Sequence, residues 1–571
     1  MNLRLILILS ALLPTLAFGQ RDKFQINGAA RAYYFANELN IDETLDSVTT
    51  RKANYGHTLL DLGVRVFPND QTEVIGMFRI RNELGGFWGG GVSFNVRQLT
   101  LRGVAGGVVK YEIGDIDLKM TPYTLWNFSE EGAVNEADVF SIRRDVVHYD
   151  MFYNDQNFWR MQGANTSFGL TFGKLIDEIN VRGFITRQRA TDGISLPERL
   201  YGGGSLNIVQ SDYLQVTGNT VNIFDLTETI EDSLQYKNSV HSANLDYSRA
   251  VGENDLAGFV TEAGVSSSQY INYKDERAPE SREDWFYDAA LYSTINAKGL
   301  KVKIGYKDVG ADFRSPGAQT RRVNFSRFPG LFQQYTNESI GRPANYADVI
   351  SGNTENGFRI SEQLTPYSAA LNNTNPYGMA TPNRRGFYLN AERTDSVGFR
   401  KSFASVAMLT ESRGTGTLEK KKFMLIEAGT DIYVNDFIGS EKAIKIDLGV
   451  RLEQTTRGGE YFESINLSSV FIDAGLAWEF VDDLDVLMGA KLWSVSGNAF
   501  VDERNAFSDV DDYEIVDFDF SQNTYAFGMR YRFSETNIIS AHYQIFNADN
   551  ADEALIDYGI SQFSILFNLM F

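Results

Sequence analysis

A period of two dominates this chain. Ile444, Ile446, Leu448, Val450 and Leu452 alternate with Lys445, Asp447, Gly449, Arg451 and Glu453. Successive side chains of an extended strand point to opposite faces, so such a segment is apolar on one face and charged on the other. Leu60, Leu62, Val64 and Val66 alternate in the same way with Asp61, Gly63 and Arg65, and Val302, Ile304 and Tyr306 with Lys301, Lys303, Gly305 and Lys307. Ile472, Ala474, Leu476 and Trp478 stand opposite Asp473, Gly475 and Glu479. Tyr525, Phe527, Met529, Tyr531 and Phe533 stand opposite Gly528, Arg530 and Arg532. A chain patterned like this is all-β, and its apolar faces must be covered by another sheet or by lipid.

Connection lengths separate these solutions. A sandwich has turns of similar length at both ends, whereas a membrane barrel has short turns at one end and long loops at the other. Short links fall at Pro68-Asn69-Asp70, Asn296 to Gly299, Val481 to Asp483 and Ser534 to Thr536. Long polar links alternate with them near 38–56, 270–283, 455–468, 495–516 and 547–557. The pattern predicts a single large antiparallel transmembrane β-barrel of roughly 18 to 24 strands, about 22, with short periplasmic turns and long extracellular loops. No repeat, linker or second domain interrupts it. The hydrophobic fraction of 43% and mean hydropathy of −0.26 do not signal a membrane protein. A barrel hides its lipophilicity in alternation, so these values fit it as well as they fit a soluble β-protein.

The two ends carry a resemblance. Met1-Asn2-Leu3-Arg4 is a short basic start, followed by an apolar run from Leu5 to Leu16 and the small residues Ala17 and Gly19 around Phe18. Residues 1–19 read as a secretory signal peptide cleaved before Gln20, being too short for a spanning helix. No Cys follows the cut, which excludes a lipoprotein. At the other end Phe563, Ile565, Phe567, Leu569 and Phe571 alternate with Ser564, Leu566, Asn568 and Met570. Together these features resemble the Gram-negative outer-membrane β-barrels of the porin-like class, although Leu566 stands where a Gly is common. The resemblance implies an outer-membrane location, contact with lipid and lipopolysaccharide, and insertion by the barrel-assembly machinery. Phe567, Leu569 and Phe571 would then be the assembly signal. No specific family within the class is identified. A TonB-dependent receptor fits less well, since alternation begins by Phe24 with no room for a plug domain before it.

The charged faces bear on function. On the inner side of such a barrel would lie Arg65, Lys301, Lys303, Lys307, Glu427, Asp431, Lys445 and Asp447, and beyond them Arg451, Glu453, Asp473, Glu479, Lys491, Arg530 and Arg532. Burying these dry would cost several kcal/mol each. A water-filled lumen avoids that cost, and the expected function is a porin-like channel or uptake protein for small hydrophilic solutes. The plainer alternative is that most of these charges pair across the wall. The rival function is a non-conducting barrel serving as scaffold, secretion partner or surface-structure factor.

Residues 311–385 break the alternation. Six of the 11 prolines fall here, which excludes a run of central strands. The segment holds Arg314, Arg321, Arg322, Arg327, Arg342, Arg359, Arg384 and Arg385, with five acidic residues and no Lys, in a chain of net charge −21. Its aromatic residues, such as Phe325 and Tyr367, need burial. It reads as an extracellular insertion that either folds into the barrel mouth or caps it from outside. In the first case the first six of these arginines would form a constriction favouring anionic solutes. Lys119 to Phe140 is a second candidate for a loop or an inward excursion. Trp88, Trp126, Trp159, Trp285, Trp478 and Trp493 are candidates for interfacial girdles.

Other chemistry is poorly supported. The net acidity argues against nucleic acid, and the absence of Cys excludes disulfides and thiolate metal sites. Only His57, His148, His241 and His542 could serve a hydrolase. His148 lies near Asp145 and Asp150, and His542 shares a strand face with Ser540, but neither forms a catalytic signature. Asp502, Glu503, Asp509, Asp511, Asp512, Glu514, Asp517 and Asp519 would suit a hard cation, yet their spacing matches no calcium loop. No enzyme activity, cofactor or bound metal is expected.

Overall fold

In the computed structural model, residues 23–41, 52–84, 92–126, 129–131, 134–142, 145, 161–173, 175–191, 193–194, 197–226, 234–252, 255–272, 280–319, 321–323, 364, 367, 369–370, 372–504, 510–551 and 557–571 are described. Residues 1–19, read from the sequence as a signal peptide, lie outside them. Twenty-two strands form one sheet in which sequence neighbours pair antiparallel. The first, Phe24–Ile41, pairs with the last, Tyr558–Met570, from Ala29 opposite Met570 to Ile41 opposite Tyr558. That seam closes the sheet on itself and excludes a sandwich. Beyond it, the Gly28 and Phe571 backbones exchange hydrogen bonds of 2.8 and 3.0 Å. With strands ~4.8 Å apart and tilted by about 40°, 22 of them make a cylinder about 44 Å across, backbone to backbone.

The alternation sorts side chains as the sequence predicts. Phe94, Leu291, Phe387 and Met408 point outward and are each at least 60% exposed. Their strand neighbours on the opposite face are polar or packed. An exterior of this kind dissolves in lipid, and closure leaves no unpaired sheet edge within it. The protein is a multi-pass β-barrel of the outer membrane. Among the described residues no helix is long and apolar enough to cross a membrane.

Links at the end holding both termini are short. Asp70 and Gln71 join the strands Lys52–Asn69 and Thr72–Glu83, and Gly106 and Gly107 take positive φ in the turn before Val109–Ile116. At the other end the link expected at 495–516 is much shorter. The strands Leu484–Arg504 and Val510–Arg532 run 21 and 23 residues, leaving only 505–509 between them. Apart from Asp509, which lies outside the described residues, the acidic run is therefore strung along a long hairpin rather than gathered in a loop. Of the tryptophans, Trp285 and Trp478 face outward. Trp493 is buried, with Nε1 donating to Ser469 Oγ at 2.8 Å, and Trp126 packs on an inner core. Trp88 and Trp159 lie outside the described residues.

Candidate functional site: the lumenal wall and the segments folded against it

Two stretches leave the wall at the long-loop end and return along its inner face. One follows Val109–Ile116, and the other joins Leu300–Val309 to Arg384–Thr394. Short parallel strands, Ser129–Glu131 and Arg321–Val323, tie the two together.

The first stretch begins against an aromatic wall. The Tyr123 ring stacks on Phe286 at 4.1 Å, and its hydroxyl donates to Asp288 Oδ2 at 2.8 Å. Tyr388 donates to the other oxygen of that carboxylate at 2.7 Å. Burial, with the Asp288 charge beside it, pushes the Tyr123 hydroxyl well above its ordinary value, so it remains a donor. Thr121 donates to Glu262 at 2.7 Å. Ile116, Leu118, Tyr123 and Leu125 complete a core with Phe184, Tyr201 and Phe313.

Residues 134–142 then cross the wall around its circumference. Gly429 is opposite Gly449, and Gly475 is opposite Gly489, on four adjacent strands. A Cβ on Gly475 would lie 2.1 Å from the Ala137 Cβ, and one on Gly489 would lie 2.7 Å from Val139 and Phe140. At Gly449 it would meet the Asn135 backbone at 2.8 Å. These glycines form a shallow track that lets the segment lie close to the sheet. Charges flank the track. Asp473 accepts the Val134 N–H at 2.9 Å, Asp431 accepts from Asn135 at 2.8 Å, and Glu136 pairs with Lys491. Asp138 bridges Lys445 and Arg530, each at 3.0 Å. Burial alone would raise the Asp138 carboxyl, but the two cations outweigh it and hold it below the ordinary aspartate value. Beyond the track, Val139, Phe140 and Ile142 pack on Tyr33, Tyr55, Leu487 and Leu566. Leu566, which departs from the usual closing-strand pattern, thus faces inward and supports this segment.

The Pro/Arg-rich stretch also turns inward where it is described. Ser266 Oγ accepts the Arg314 N–H at 2.9 Å, and Asn238 donates to the Arg314 carbonyl at 3.1 Å. Farther on, Glu453 accepts the backbone N–H groups of Asn373 and Thr374. Arg451 joins Glu427, Glu453 and Asn372, each at 3.0 Å.

The charges read as lumenal share a register face with buried residues such as Lys307, Asp447, Arg451 and Lys491, and most are engaged. Asp447 pairs with Lys445 at 2.7 Å, Arg530 with Asp485 at 2.8 Å, and Arg532 with Glu479 at 3.0 Å. Lys303 lies over the Tyr388 ring, 5.8 Å from its centroid, while Arg65 and the exposed Lys301 stand near the short-turn end. Of the predicted constriction, Arg314 is buried and its guanidinium donates to the carbonyls of Ala311 and Phe313 at 3.3 and 3.0 Å. Arg321 and Arg322 are placed by backbone pairing alone, and Arg327, Arg342 and Arg359 lie outside the described residues. At the closing strand, Phe567 contacts Phe533 edge-on at 6.2 Å, Leu569 is half-buried beside it, and Phe571 is exposed.

The anchors Glu136 and Asp138 were not evident from sequence. Their only signal is acidic residues on a non-alternating stretch facing a cationic wall. Ser540 and His542 both face inward, but no hydrogen bond joins Ser540 Oγ to His542 Nε2, so this pair is not aligned as nucleophile and base. His148 lies outside the described residues. Among the described residues no group of three or more His, Asp or Glu is placed to hold a metal ion.

No family model matches the sequence, and no curated protein matches it. Solved structures similar to the chain include Pseudomonas aeruginosa OccK8 (OprE), 10% identical over 96% of this chain and 98% of that one, with a TM-score of 0.34. A BenF-like porin from Pseudomonas fluorescens Pf-5 is 9% identical, with 97% and 100% covered and a TM-score of 0.33. The copper transporter OprC is 9% identical, with 95% and 80% covered and a TM-score of 0.47. These likenesses reach no further than a barrel architecture.

Proposed function

We propose that this outer-membrane barrel is a porin-like channel passing small hydrophilic solutes, anions among them, through a hydrated lumen narrowed by its two inward stretches. The observation that carries this reading is the two-sidedness of the wall. Its exterior is apolar, while its interior bears cations and carboxylates on strand after strand, from Asp61 with Arg79 and Arg97 round to Arg530 and Arg532. A lumen lined this way favours water over a dry core. The inward stretches set the width of the route, and the arginines of 311–385 would bias it toward anions. Lipid and lipopolysaccharide outside, and the barrel-assembly machinery during insertion, are the partners such a protein needs.

Purified protein in planar bilayers should give discrete conductance steps, and proteoliposomes should swell in isotonic sugar. A barrel that inserts but neither conducts nor swells would refute the proposal.

One observation favours a second reading. Described parts of the inward stretches contact the wall from the strand Met161–Thr171 round through Tyr558–Met570 to Lys52–Asn69. So full a lining suits a non-conducting scaffold, secretion partner or surface-structure factor. A stoichiometric partner recovered from gently solubilised membranes, together with silence in the bilayer, would select it.

A further inference from the structure

We propose that the long-loop mouth holds a binding site for a small solute bearing a carboxylate or similar oxyanion, in the cavity between 311–314, 376–384 and 411–421. The proposal rests on the channel reading and adds a recognition site to it. The cavity measures about 180 Å³. Drug-sized pockets begin near ~300 Å³, so the ligand is small. Arg282, Arg314, Arg384, Arg413 and Lys421 line it, against the carboxylates of Asp312 and Glu411. That excess of cations occurs in a chain of net charge −21.

Asp312 is neutralised by a cation, whereas Glu411 meets neutral donors and keeps its charge, so the cations left over after these two carboxylates set the sign of the cavity. Asp312 receives two hydrogen bonds of 2.8 Å from Arg413, which hold its carboxyl below the ordinary range. Glu411 accepts the Lys421 N–H and the Thr415 hydroxyl within its own loop, each at 2.8 Å. Arg384, only 6% exposed, is held differently. It donates to the carbonyls of Asn373, Thr374 and Asn383 at 2.9, 2.9 and 3.1 Å, with its Cζ 3.7 Å from the Phe423 ring centroid. Carbonyl groups and a ring orient the guanidinium but carry no net charge, so its positive field persists in the cavity. Guanidinium forks suit planar oxyanions.

The cavity is also built in advance. Asn383 adopts a positive φ of 58°, and its Oδ1 accepts the N–H groups of Ser412 and Arg413, each at 2.9 Å. This clamp fixes the 411–421 loop against the inward stretch. Tyr367, Tyr377 and Tyr513 also line the cavity.

The test uses the full chain in detergent with two probes, glucuronate and its uncharged relative glucose, followed by titration calorimetry. Saturable heat from glucuronate and none from glucose is expected. Arg413→Gln, at the exposed lip, leaves the Asp312 carboxylate unneutralised in the cavity and should weaken glucuronate binding at least tenfold. Arg384→Gln should abolish it, and Arg413→Gln guards against a failure of the deeper variant to fold. Equal heats from the two sugars, or unchanged binding by Arg413→Gln, would overturn the site. Swelling of proteoliposomes in glucose separates the two ideas. Swelling without glucuronate binding sinks the site alone, and binding without swelling sinks the channel alone.

Discussion

Asp138→Asn tests whether the 134–142 segment is held to the wall by charge. The substitution keeps the side chain's shape and removes a carboxylate shared by Lys445 and Arg530 at 3.0 Å each. The three side chains are 17–20% exposed, buried enough for the interaction to survive solvent screening. A hydrogen bond to a charged group contributes ~1.5–3 kcal/mol, so two give about 3–6 kcal/mol at most. Both cations keep a second carboxylate, Asp447 for Lys445 and Asp485 for Arg530. The retained partners cut the loss to about 2–4 kcal/mol. At 1.4 kcal/mol per factor of ten, the ratio of detached to docked segment rises ~30- to 700-fold. Single-channel recording should show longer or more frequent high-conductance episodes, and limited proteolysis should cut within the segment faster. Strand content by circular dichroism should not change, since every wall hydrogen bond survives. An unchanged conductance histogram together with unchanged proteolysis would show that apolar packing, not charge, holds the segment, and would refute the reasoning.

Three further outcomes follow from the same geometry. Acid should act on this anchor in one direction: a carboxyl held below its ordinary value of 3.8 stabilises docking fully above that value and loses the contribution as pH falls through its own lower pKa. Channel behaviour due to Asp138 should therefore be flat between about pH 7 and 5 and change only in stronger acid, whereas a change near neutrality would point to another group. Gly475→Ala would set a methyl 2.1 Å from the Ala137 Cβ, and overpacking of this kind costs about 1–3 kcal/mol. It should reproduce the Asp138→Asn conductance phenotype with no change in charge. Asp61→Asn removes the buried carboxylate that Arg79 grips at 2.7 Å and Arg97 at 3.1 Å. Breaking such a pair costs about 3–5 kcal/mol, so the urea midpoint in a lipid or detergent host should fall, and a value equal to wild type would refute the assignment.

The barrel was legible because its cause is local. A strand spanning lipid must repeat every two residues, and Ile444 to Glu453 does so without a break, as does the run ending at Phe571. The strand count of about 22 followed from that repeat together with the spacing of the links between strands. The hairpin of Leu484–Arg504 and Val510–Arg532 was misjudged because its outer part stands beyond the lipid. There Asp512, Glu514, Asp517 and Asp519 are exposed, strict apolar alternation is no longer required, and Asp512 to Asp519 read as a loop. The inward stretches were legible only as exceptions. Their prolines and non-alternating aromatics said that 311–385 is not wall, and Lys119 to Phe140 likewise. Nothing local says where such a segment lies, because its partners are far off in sequence, 48 to 82 residues for the wall contacts of Arg314 and Asn372 to Thr374. Asp138 meets Arg530 392 residues later. The glycine track was equally hidden, since Gly449 and Gly475 look like ordinary breaks in strand patterning until register aligns them.

That hidden layer changes what the inner charges mean. From sequence, cations and carboxylates on the lumenal face require water, because a dry interior would leave them unsolvated. The structure supplies another solvent for many of them. Glu453 is met by the backbone N–H groups of Asn373 and Thr374, Asp473 by that of Val134, and Lys491 by Glu136. Peptide groups and acids of the inward stretches thus take the place of lumenal water along the wall. At Arg384 the stretches leave a buried guanidinium that only neutral carbonyls hold. A route for solutes through this barrel is therefore defined by the faces that the stretches leave uncovered, not by the wall they cover. Altering Asp138 or Gly475 changes how much is covered, whereas altering Arg413 changes what the mouth recognises, so width and selectivity should prove separable.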